Sequence, residues 1–227
     1  MAHLPSQHEH RAGQDKRKAR RYLSRMIWLT SPTMTSRVLP AAWLIHTGAR
    51  PANLAERSEL RRGLAREVLA RQFGLPAGSL AIEHDPRGRP LLIIAGRSPA
   101  HISLATRAGQ VAVALAEEPV GVDVEVVAAR PETPLAVLHP QERAFLASLE
   151  TRDQAAAFAK IWSAKEAYVK ALGLGFVRPP DSFAVTLQTD GRFEVSDPDR
   201  KGRLAGDVTT MKNGGQEILA AAMVRLL

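Results

Sequence analysis

Residues 152–175 read "RDQAAAFAKIWSAKEAYVKALGLG" and carry the clearest helical pattern in the 227-residue chain. Apolar side chains recur there at intervals of three and four residues, which places them on one face of a helix. This apolar stripe consists of Phe158, Ile161, Trp162, Ala164, Tyr168 and Val169. Gly173 and Gly175 follow the stripe, and glycine commonly ends a helix because it readily adopts the left-handed conformation. The stretch therefore predicts a long amphipathic helix that packs one face on a core.

Glu166 lies at the edge of this apolar stripe, one turn after Trp162 and one turn before Lys170. An exposed Glu–Lys pair at this spacing contributes only about 0.3–0.5 kcal/mol to stability and needs no other partner. Alternatively, the Glu166 carboxylate reaches out of the helix as a ligand to a metal ion. The spacing of the helix by itself leaves both interpretations open.

A second acidic pattern lies upstream, in residues 120–127, "VGVDVEVV". Its strict alternation predicts a strand with Asp123 and Glu125 on one face and valines on the other. Two carboxylates at this separation raise each other's pKa unless a cation lies between them. A hard divalent ion such as Mg²⁺ is a suitable cation because it prefers oxygen ligands. An ordinary exposed strand with outward acidic side chains explains the same residues, so this alternative also stays open.

The remaining patterns divide the chain into two successive units. The first begins with a strand in residues 37–48 and a helix in residues 53–74, and several short strand patterns follow. The second contains the acidic strand, a short helix, the long helix, a hairpin and a terminal strand. We therefore predict an α+β fold with an N-terminal lobe of residues 37–117 and a C-terminal lobe of residues 118–227.

Residues 1–36 form a basic N-terminal extension with seven Lys or Arg residues and two acidic residues, so they hold +5 of the net charge of +8. No clear apolar period runs through them, and we predict that they are disordered or form a short basic helix. One interpretation is a solvated tail, with the physiological start at Met26 or Met34. The other is a basic arm that binds an acidic partner.

The composition also limits the class of protein. The chain has no cysteine, which excludes disulfides, thiolate metal sites and a cysteine nucleophile. No run approaches the about 18 apolar residues that cross a bilayer, so we expect a cytoplasmic protein without a membrane partner. Outside the N-terminal extension the net charge is only +3. Nucleic-acid binding is therefore not expected, because only the extension supports it and it leaves the acidic strand unexplained.

Two motifs in this order resemble the paired signature of the 4′-phosphopantetheinyl transferases. They are "PVGVDVE" in residues 119–125 and, 36 residues later, "WSAKEAYVKALGLGF" in residues 162–176. The segment "RPPDSFAV" in residues 178–185 also resembles the family's sequence after the second motif. Over roughly residues 40–227 the chain resembles the two-lobe, Sfp-type class. That resemblance implies a pseudo-twofold pair of similar α+β lobes with the active site between them.

The resemblance also implies an activity. Enzymes of this family transfer the 4′-phosphopantetheine group of coenzyme A to a serine of an acyl or peptidyl carrier protein. They convert the carrier from its apo to its holo form and release adenosine 3′,5′-bisphosphate. Carriers of fatty-acid, polyketide, nonribosomal peptide and lysine-pathway biosynthesis all remain possible partners. Two lobes in one chain would let a monomer form the whole site.

The residues of the two motifs take their expected roles from this resemblance. Asp123, Glu125 and Glu166 match the ligands of Mg²⁺, for which Mn²⁺ is a possible substitute. Glu166 is also the candidate general base for the carrier serine. Lys165 and Lys170 match the lysines that balance the phosphate charge of coenzyme A, and Lys170 is the candidate for assisting the leaving group.

The N-terminal lobe matches the family less closely. Arg57 aligns with an arginine that contacts the nucleotide end of coenzyme A, and Arg89 in "RGRP" replaces a lysine of the family. In "SLATRAG", Thr106 occupies the position of the family's phosphate-binding histidine, and Arg107 could supply the missing charge. This departure supports the alternative of a catalytically degenerate paralogue that binds coenzyme A or a carrier protein without turnover.

Overall fold

The computed structural model describes residues 25–128, 135–174, 178–201, 204–213 and 217–227. The first of its two sheets is formed by β1 (Ile27–Leu29), β2 (Ala41–His46), β3 (Leu80–His84), β4 (Pro90–Ile94), β5 (His101–Arg107) and β6 (Gln110–Ala116). The strand order is β1-β2-β6-β5-β4-β3. The short β1 runs parallel to β2, and the other neighbouring strands of this sheet are antiparallel.

The second sheet follows in the chain and is antiparallel throughout. It is formed by β7 (Val120–Val126), β8 (Ala184–Leu187), β9 (Arg192–Ser196), β10 (Leu204–Lys212) and β11 (Ile218–Arg225). The strand order is β7-β11-β10-β9-β8. The chain therefore changes sheets between Ala116 and Val120.

Among the described residues, three α-helices accompany the sheets: α1 (Leu54–Phe73), α2 (Pro140–Ser148) and α3 (Thr151–Leu172). The side chain of Asn53 caps α1 by accepting a hydrogen bond from the Glu56 amide, which satisfies one of the free donors of the first turn. Gly173 ends α3 with φ 66°, as the predicted glycine stop requires. None of the helices in the described residues is long and apolar enough to cross a membrane.

Each long helix covers one sheet. Val68 and Leu69 of α1 pack with Leu104 and Val113 in the core of the first lobe. The apolar stripe of α3 packs with β8, β9 and β10 in the core of the second lobe, which confirms the predicted orientation of that helix. The two lobes thus repeat one plan of a sheet with a long helix on one face, and the predicted α+β pair is confirmed.

A third apolar layer joins the two sheets. It contains Leu44 and Ala114 of the first sheet and Val122, Val124 and Met223 of the second. The predicted alternation of β7 therefore has its physical reason, because the valines fill this layer while the acidic residues turn to the opposite face.

The opposite face of β7 lies directly under α3. A Cβ atom on Gly121 would lie 1.8 Å from the backbone oxygen of Ala167, so only glycine allows the strand and the helix to approach this closely. This approach brings the acidic face of β7 next to the helix that carries Glu166.

The expectation for the N-terminal extension is wrong in part. Ile27–Leu29 forms the edge strand β1, where Leu29 is buried, so the ordered fold begins before residue 37. Met26 is also nearly buried, and its amide donates a hydrogen bond to Asp207 Oδ2 at 2.5 Å on the second sheet. The four apolar residues of 26–29 form a run that is too short to show a period. Residues 1–24 of the predicted extension lie outside the described residues.

Candidate active site between the lobes

Three carboxylates meet where β7 passes under α3. Asp123 and Glu125 lie on the helix-facing side of the strand, and Glu166 extends from the helix. Burial, followed by repulsion from Asp123, raises the pKa of Glu166 above its ordinary value, and Glu125 adds to the effect. Burial also raises the pKa of Asp123, although Lys170 opposes it. The predicted juxtaposition of the two acidic motifs is therefore present in the fold.

Two cations of the protein lie against the strand carboxylates. Lys170 Nζ is 2.6 Å from Asp123 Oδ1 and also donates to the backbone oxygen of Val122 at 3.2 Å. Arg107 Nε is 3.2 Å from Glu125 Oε1. Lys170 thus reaches from the helix to the strand, which a simple pair with Glu166 on an exposed helix surface would not require.

The donor set suits a hard divalent cation, since it offers only carboxylate oxygens. Among the described residues, the three carboxylates face two cationic side chains, Lys170 and Arg107, and this excess of negative charge agrees with the raised pKa of Glu166. Within the described residues, no three His, Cys, Asp or Glu side chains are already arranged as a metal site. The chemistry of these residues fits a metal, while Lys170 and Arg107 now balance the charge of the strand.

A cavity of about 360 Å³ opens beside the carboxylates, between the two lobes. Its walls come from α1, the turn between β3 and β4, β5 and the end of α3. The lining residues are Arg61, His84, Arg87, Gly88, Arg89, Pro90, Ile102, Ser103, Leu104, Lys170 and Gly173. Four of these described residues are Lys or Arg and none is acidic, which favours an anionic ligand. The volume lies in the range of small-molecule sites.

Arg89 and Lys170 are the predicted coenzyme A contacts that line this cavity. Arg89 Nε is 3.3 Å from Asp85 Oδ2, and hydrogen bonds from Arg89 and Arg87 lower the pKa of Asp85. The guanidinium also packs against the end of α3, because a Cβ atom on Gly173 would lie 3.0 Å from Arg89 Nη1. Arg89 therefore bridges the two lobes at the edge of the cavity.

The other contacts predicted in the N-terminal lobe are placed differently. Arg57 is exposed, and Arg61, one turn later on α1, lines the cavity instead. Arg107 is directed to Glu125 and is not among the lining residues. Thr106 is not among them either; its hydroxyl is buried and has no hydrogen-bond partner among the described residues.

The prediction that Lys165 binds the phosphates of coenzyme A is wrong in this fold. Its side chain is 1% exposed, and Nζ lies 2.5 Å from Glu142 Oε1 and 2.7 Å from the backbone oxygen of Phe183. The ammonium group also lies 4.2 Å from the centre of the Phe183 ring. Burial lowers the pKa of Lys165, and Glu142 opposes this shift. Lys165 therefore joins α2, α3 and β8 inside the second lobe.

Sequence reasoning missed three residues of this arrangement. Arg61 carries a signal that could have found it, since it lies one turn from Arg57 on the same helix. Ser103, whose hydroxyl accepts a hydrogen bond from the Val122 amide at 3.0 Å, reads in the sequence as an ordinary strand residue. Glu142 is 1% exposed, yet nothing in its local sequence distinguishes it from a surface glutamate.

Comparison with known proteins agrees with the motif positions. A family model described as the 4′-phosphopantetheinyl transferase superfamily matches residues 119–220, which include β7, α2 and α3. This match contains the three carboxylates and Lys170. Over this segment the chain is similar to members of the 4′-phosphopantetheinyl transferase superfamily.

Curated relatives give the same result at moderate identity. The chain is similar to 4′-phosphopantetheinyl transferase Sfp of Bacillus subtilis (strain 168), with 29% identity over 148 residues that cover 64% of each chain. It is also similar to 4′-phosphopantetheinyl transferase gsp of Aneurinibacillus migulanus, with 27% identity over 57% of this chain and 53% of that protein. The matched part therefore spans less than two thirds of the length of these relatives.

Two solved structures of smaller proteins also resemble part of the chain. The holo-[acyl-carrier-protein] synthase of Thermotoga maritima shows 19% identity and a TM-score of 0.35, covering 48% of this chain and 64% of that one. A Chronobacterium ammoniagenes ACPS–CoA complex shows 19% identity and a TM-score of 0.34, covering 48% and 96%.

Proposed function

We propose that this protein transfers the 4′-phosphopantetheine group of coenzyme A to a serine of an acyl or peptidyl carrier protein. The observation that carries the proposal is the position of Lys170, which belongs to both the cationic cavity and the carboxylate cluster. A phosphate group held in the cavity would therefore meet the acidic residues at this lysine. The names of the relatives, all 4′-phosphopantetheinyl transferases, support this choice of reaction.

In this proposal the lobes divide the substrate between them. The N-terminal lobe, which includes β1 and ends at residue 117, holds the nucleotide part of coenzyme A against α1, β5 and the β3–β4 turn. The C-terminal lobe, residues 118–227, holds the pyrophosphate next to β7 and α3. Because both lobes come from one chain, a monomer would contain the complete site.

Asp123, Glu125 and Glu166 would hold Mg²⁺, with Mn²⁺ as a possible substitute. The ion would neutralise the charge that grows on the phosphate oxygens during transfer. For the strand carboxylates to bind it, Lys170 and Arg107 must move from their present partners. Lys170 already lines the cavity, so its ammonium group would move only a short distance from Asp123 to a phosphate oxygen bound there.

Side chains of the protein would accept the proton of the carrier serine and stabilise the charge on the leaving group. The carrier serine oxygen forms a bond to the phosphorus of the phosphopantetheine phosphate, and the bond from that phosphorus to the bridging oxygen breaks. Glu166 would accept the serine proton, directly or through a water molecule. Lys170 stabilises the negative charge on the departing adenosine 3′,5′-bisphosphate.

The direct test incubates the protein with coenzyme A, Mg²⁺ and an apo carrier protein, and then measures the mass of the carrier. We expect the carrier to gain one phosphopantetheine group, and a carrier whose reactive serine is replaced by alanine to gain none. Saturable coenzyme A binding without a mass gain would contradict the proposal and favour the degenerate paralogue. A parallel reaction with a chelator tests the metal, since the proposal requires the transfer to stop.

A further inference from the structure

One ion pair of the carboxylate cluster joins the two lobes. Arg107 ends β5 in the first lobe, and its Nε atom lies 3.2 Å from Glu125 Oε1 on β7 of the second lobe. The same Glu125 oxygen accepts a hydrogen bond from the Val126 amide at 2.8 Å. Burial raises the pKa of Asp123, and Lys170 and then Arg107 oppose this rise. The positive charge of Arg107 therefore acts on both carboxylates of the strand.

The backbone beside Arg107 is held from both lobes. In the turn after it, the carbonyl oxygen of Ala108 accepts a hydrogen bond from Asn213 Nδ2 of the second lobe at 2.7 Å. The carbonyl oxygen of Gly109 accepts two hydrogen bonds from Thr47 of the first lobe, from the amide at 2.9 Å and from the hydroxyl at 2.7 Å. A turn fixed in this way keeps Arg107 beside the acidic strand, so a change of partner would be a rotation of its side chain.

Arg107 differs from Lys170 in what it can bind instead of a carboxylate. Lys170 lines the cavity, where a phosphate group would give it a new anionic partner. Arg107 is not among the lining residues, and its side chain is 33% exposed, so a guanidinium displaced from Glu125 would turn to solvent. Coenzyme A in the cavity would thus help to free Asp123 from its lysine, while an ion that binds Glu125 must compete with Arg107 directly.

We propose that Arg107 is an internal counter-ion of Glu125 that competes with Mg²⁺, and that it sets the concentration of Mg²⁺ at which the site is filled. This inference rests on the three-carboxylate metal site of the proposed function. Mg²⁺ binds only the fraction of molecules in which Glu125 is released, so the apparent affinity is reduced in proportion to that fraction. The charge of Arg107 also repels a cation beside the strand. Loading of the metal thus exchanges a contact between the lobes for bonds within the second lobe.

The test measures the affinity for Mg²⁺ itself, without substrate. Calorimetry and Mg²⁺ titrations of the thermal midpoint compare the wild type with Arg107→Gln, which removes the charge, and with Arg107→Lys, which keeps it. We expect Arg107→Gln to lower the Kd for Mg²⁺ by about three- to tenfold, and Arg107→Lys to change it by less than about twofold. The matched control Arg97→Gln removes the same charge from the exposed turn after β4 and should leave the Kd unchanged.

A second readout separates competition with the metal from a merely structural contact. Without divalent ions, Arg107→Gln should have a lower thermal midpoint than the wild type, because Glu125 loses the charge of Arg107. At saturating Mg²⁺ the two midpoints should coincide, since the ion then supplies positive charge in both proteins. A contact that only held the lobes together would leave the same difference at every concentration of Mg²⁺.

A double-mutant cycle shows whether the effect passes through Glu125. In the Glu125→Gln background Mg²⁺ should bind more weakly, and the further change Arg107→Gln should lower the Kd by less than about twofold. The same titrations provide the measurement. An effect of Arg107→Gln that is as large without the Glu125 carboxylate as with it would contradict the competition.

Other results would also overturn this role of Arg107. They are an unchanged Kd in Arg107→Gln, an equal shift in Arg97→Gln, and a difference between midpoints that persists at saturating Mg²⁺. Each of them leaves carrier modification by the wild type intact, so it is distinguishable from a failure of the proposed function. If the Kd shifts as expected but no carrier is modified, the inference stands and the proposed reaction fails. A wild type without any response to Mg²⁺ would contradict the metal site and this inference with it.

Discussion

Two lysines of the helix α3 each pair with a carboxylate, and the different environments of the two pairs give them different roles. Lys165 lies 2.5 Å from Glu142, and Lys170 lies 2.6 Å from Asp123. The side chains of the first pair are 1% and 0% exposed, whereas those of the second are 32% and 13% exposed. The first pair is enclosed by protein and the second borders a cavity, so only the second can exchange its partner for a ligand.

The enclosed pair is also more fully satisfied. Glu142 accepts hydrogen bonds from the amides of His139 and Val185 in addition to Lys165. In the part of the chain that the structure describes, the open pair consists of the ion pair between Lys170 and Asp123, with Glu166 as an acidic neighbour. The difference teaches that a short ion-pair distance does not identify an active site, because access to a ligand and incomplete charge balance are also required.

The largest expected effect comes from breaking the enclosed pair. Lys165→Met leaves the buried carboxylate of Glu142 without its cation, and such a change costs about 3–5 kcal/mol of unfolding free energy. Urea denaturation measures this loss. The double variant Lys165→Met/Glu142→Gln should recover most of it, since both charges are gone. A single variant as stable as the wild type would show that this pair does not hold the lobe together.

The open pair is expected to respond in activity and not in stability. Lys170→Met should reduce carrier modification by at least about a hundredfold, because the transition-state charge loses its cation. Its thermal midpoint should stay within a few degrees of the wild type. Lys160→Met on the same helix is the matched control and should remain active. Near-normal turnover in Lys170→Met would remove the lysine from the mechanism.

A smaller effect concerns the acidic neighbour of the open pair. The pKa of Glu166 is raised in the fold, so its contribution to stability is present at low pH and is lost as the pH rises through its folded pKa. Without divalent ions, Glu166→Gln should therefore raise the thermal midpoint at pH 7.5 by about 2–4 °C, which corresponds to about 1 kcal/mol for a chain of this size.

This stabilisation should vanish below about pH 4, where the carboxyl is protonated in both the folded and the unfolded states. Added Mg²⁺ should make the thermal midpoint of the wild type higher than that of the variant at pH 7.5. The reason is that Mg²⁺ stabilises the folded wild type, whereas the variant binds the ion weakly. Thermal melts across pH, with and without Mg²⁺, provide the measurement. A thermal midpoint that changes neither with Mg²⁺ nor with the substitution would contradict a three-carboxylate metal site.

The smallest expected effect is at Arg107. Its guanidinium is directed to Glu125 and is not among the cavity-lining residues. Arg107→Ser should therefore change the KM for coenzyme A by less than about twofold. Steady-state kinetics with the variant and the wild type makes the comparison, and a tenfold rise in KM in Arg107→Ser would show that the strand holds the phosphate.

Much of the structure of the second lobe was predicted correctly from local sequence patterns. Alternation in β7 correctly separated Asp123 and Glu125 from the valines, because successive side chains of a strand point to opposite faces. Helical spacing correctly assigned the buried stripe of α3. These predictions depend on covalent geometry that is the same in any fold. The position of Glu166 opposite the strand came from the resemblance of the two motifs to a known family, because the helical spacing alone had left its role open.

Other assignments required information that no local pattern contains. Lys165 and Lys170 are equally basic in the sequence, and Arg57 and Arg61 occupy the same side of one helix. Which member of each pair meets the cavity depends on how α2, β5 and β8 pack around it. Strand β1 was missed for a similar reason, since three apolar residues become a strand only when β2 offers them a partner.

The sequence alone indicated the α+β plan through the periods of helix and strand, and the residues of the acidic cluster through two motifs that resemble those of a known family. The tertiary structure decided which lysine is buried, which arginine lines the cavity and which cations now balance the carboxylates. The physical reason is that burial and charge balance arise from residues far apart in the chain. Glu142 lies 23 residues from Lys165, and Asp123 lies 47 residues from Lys170.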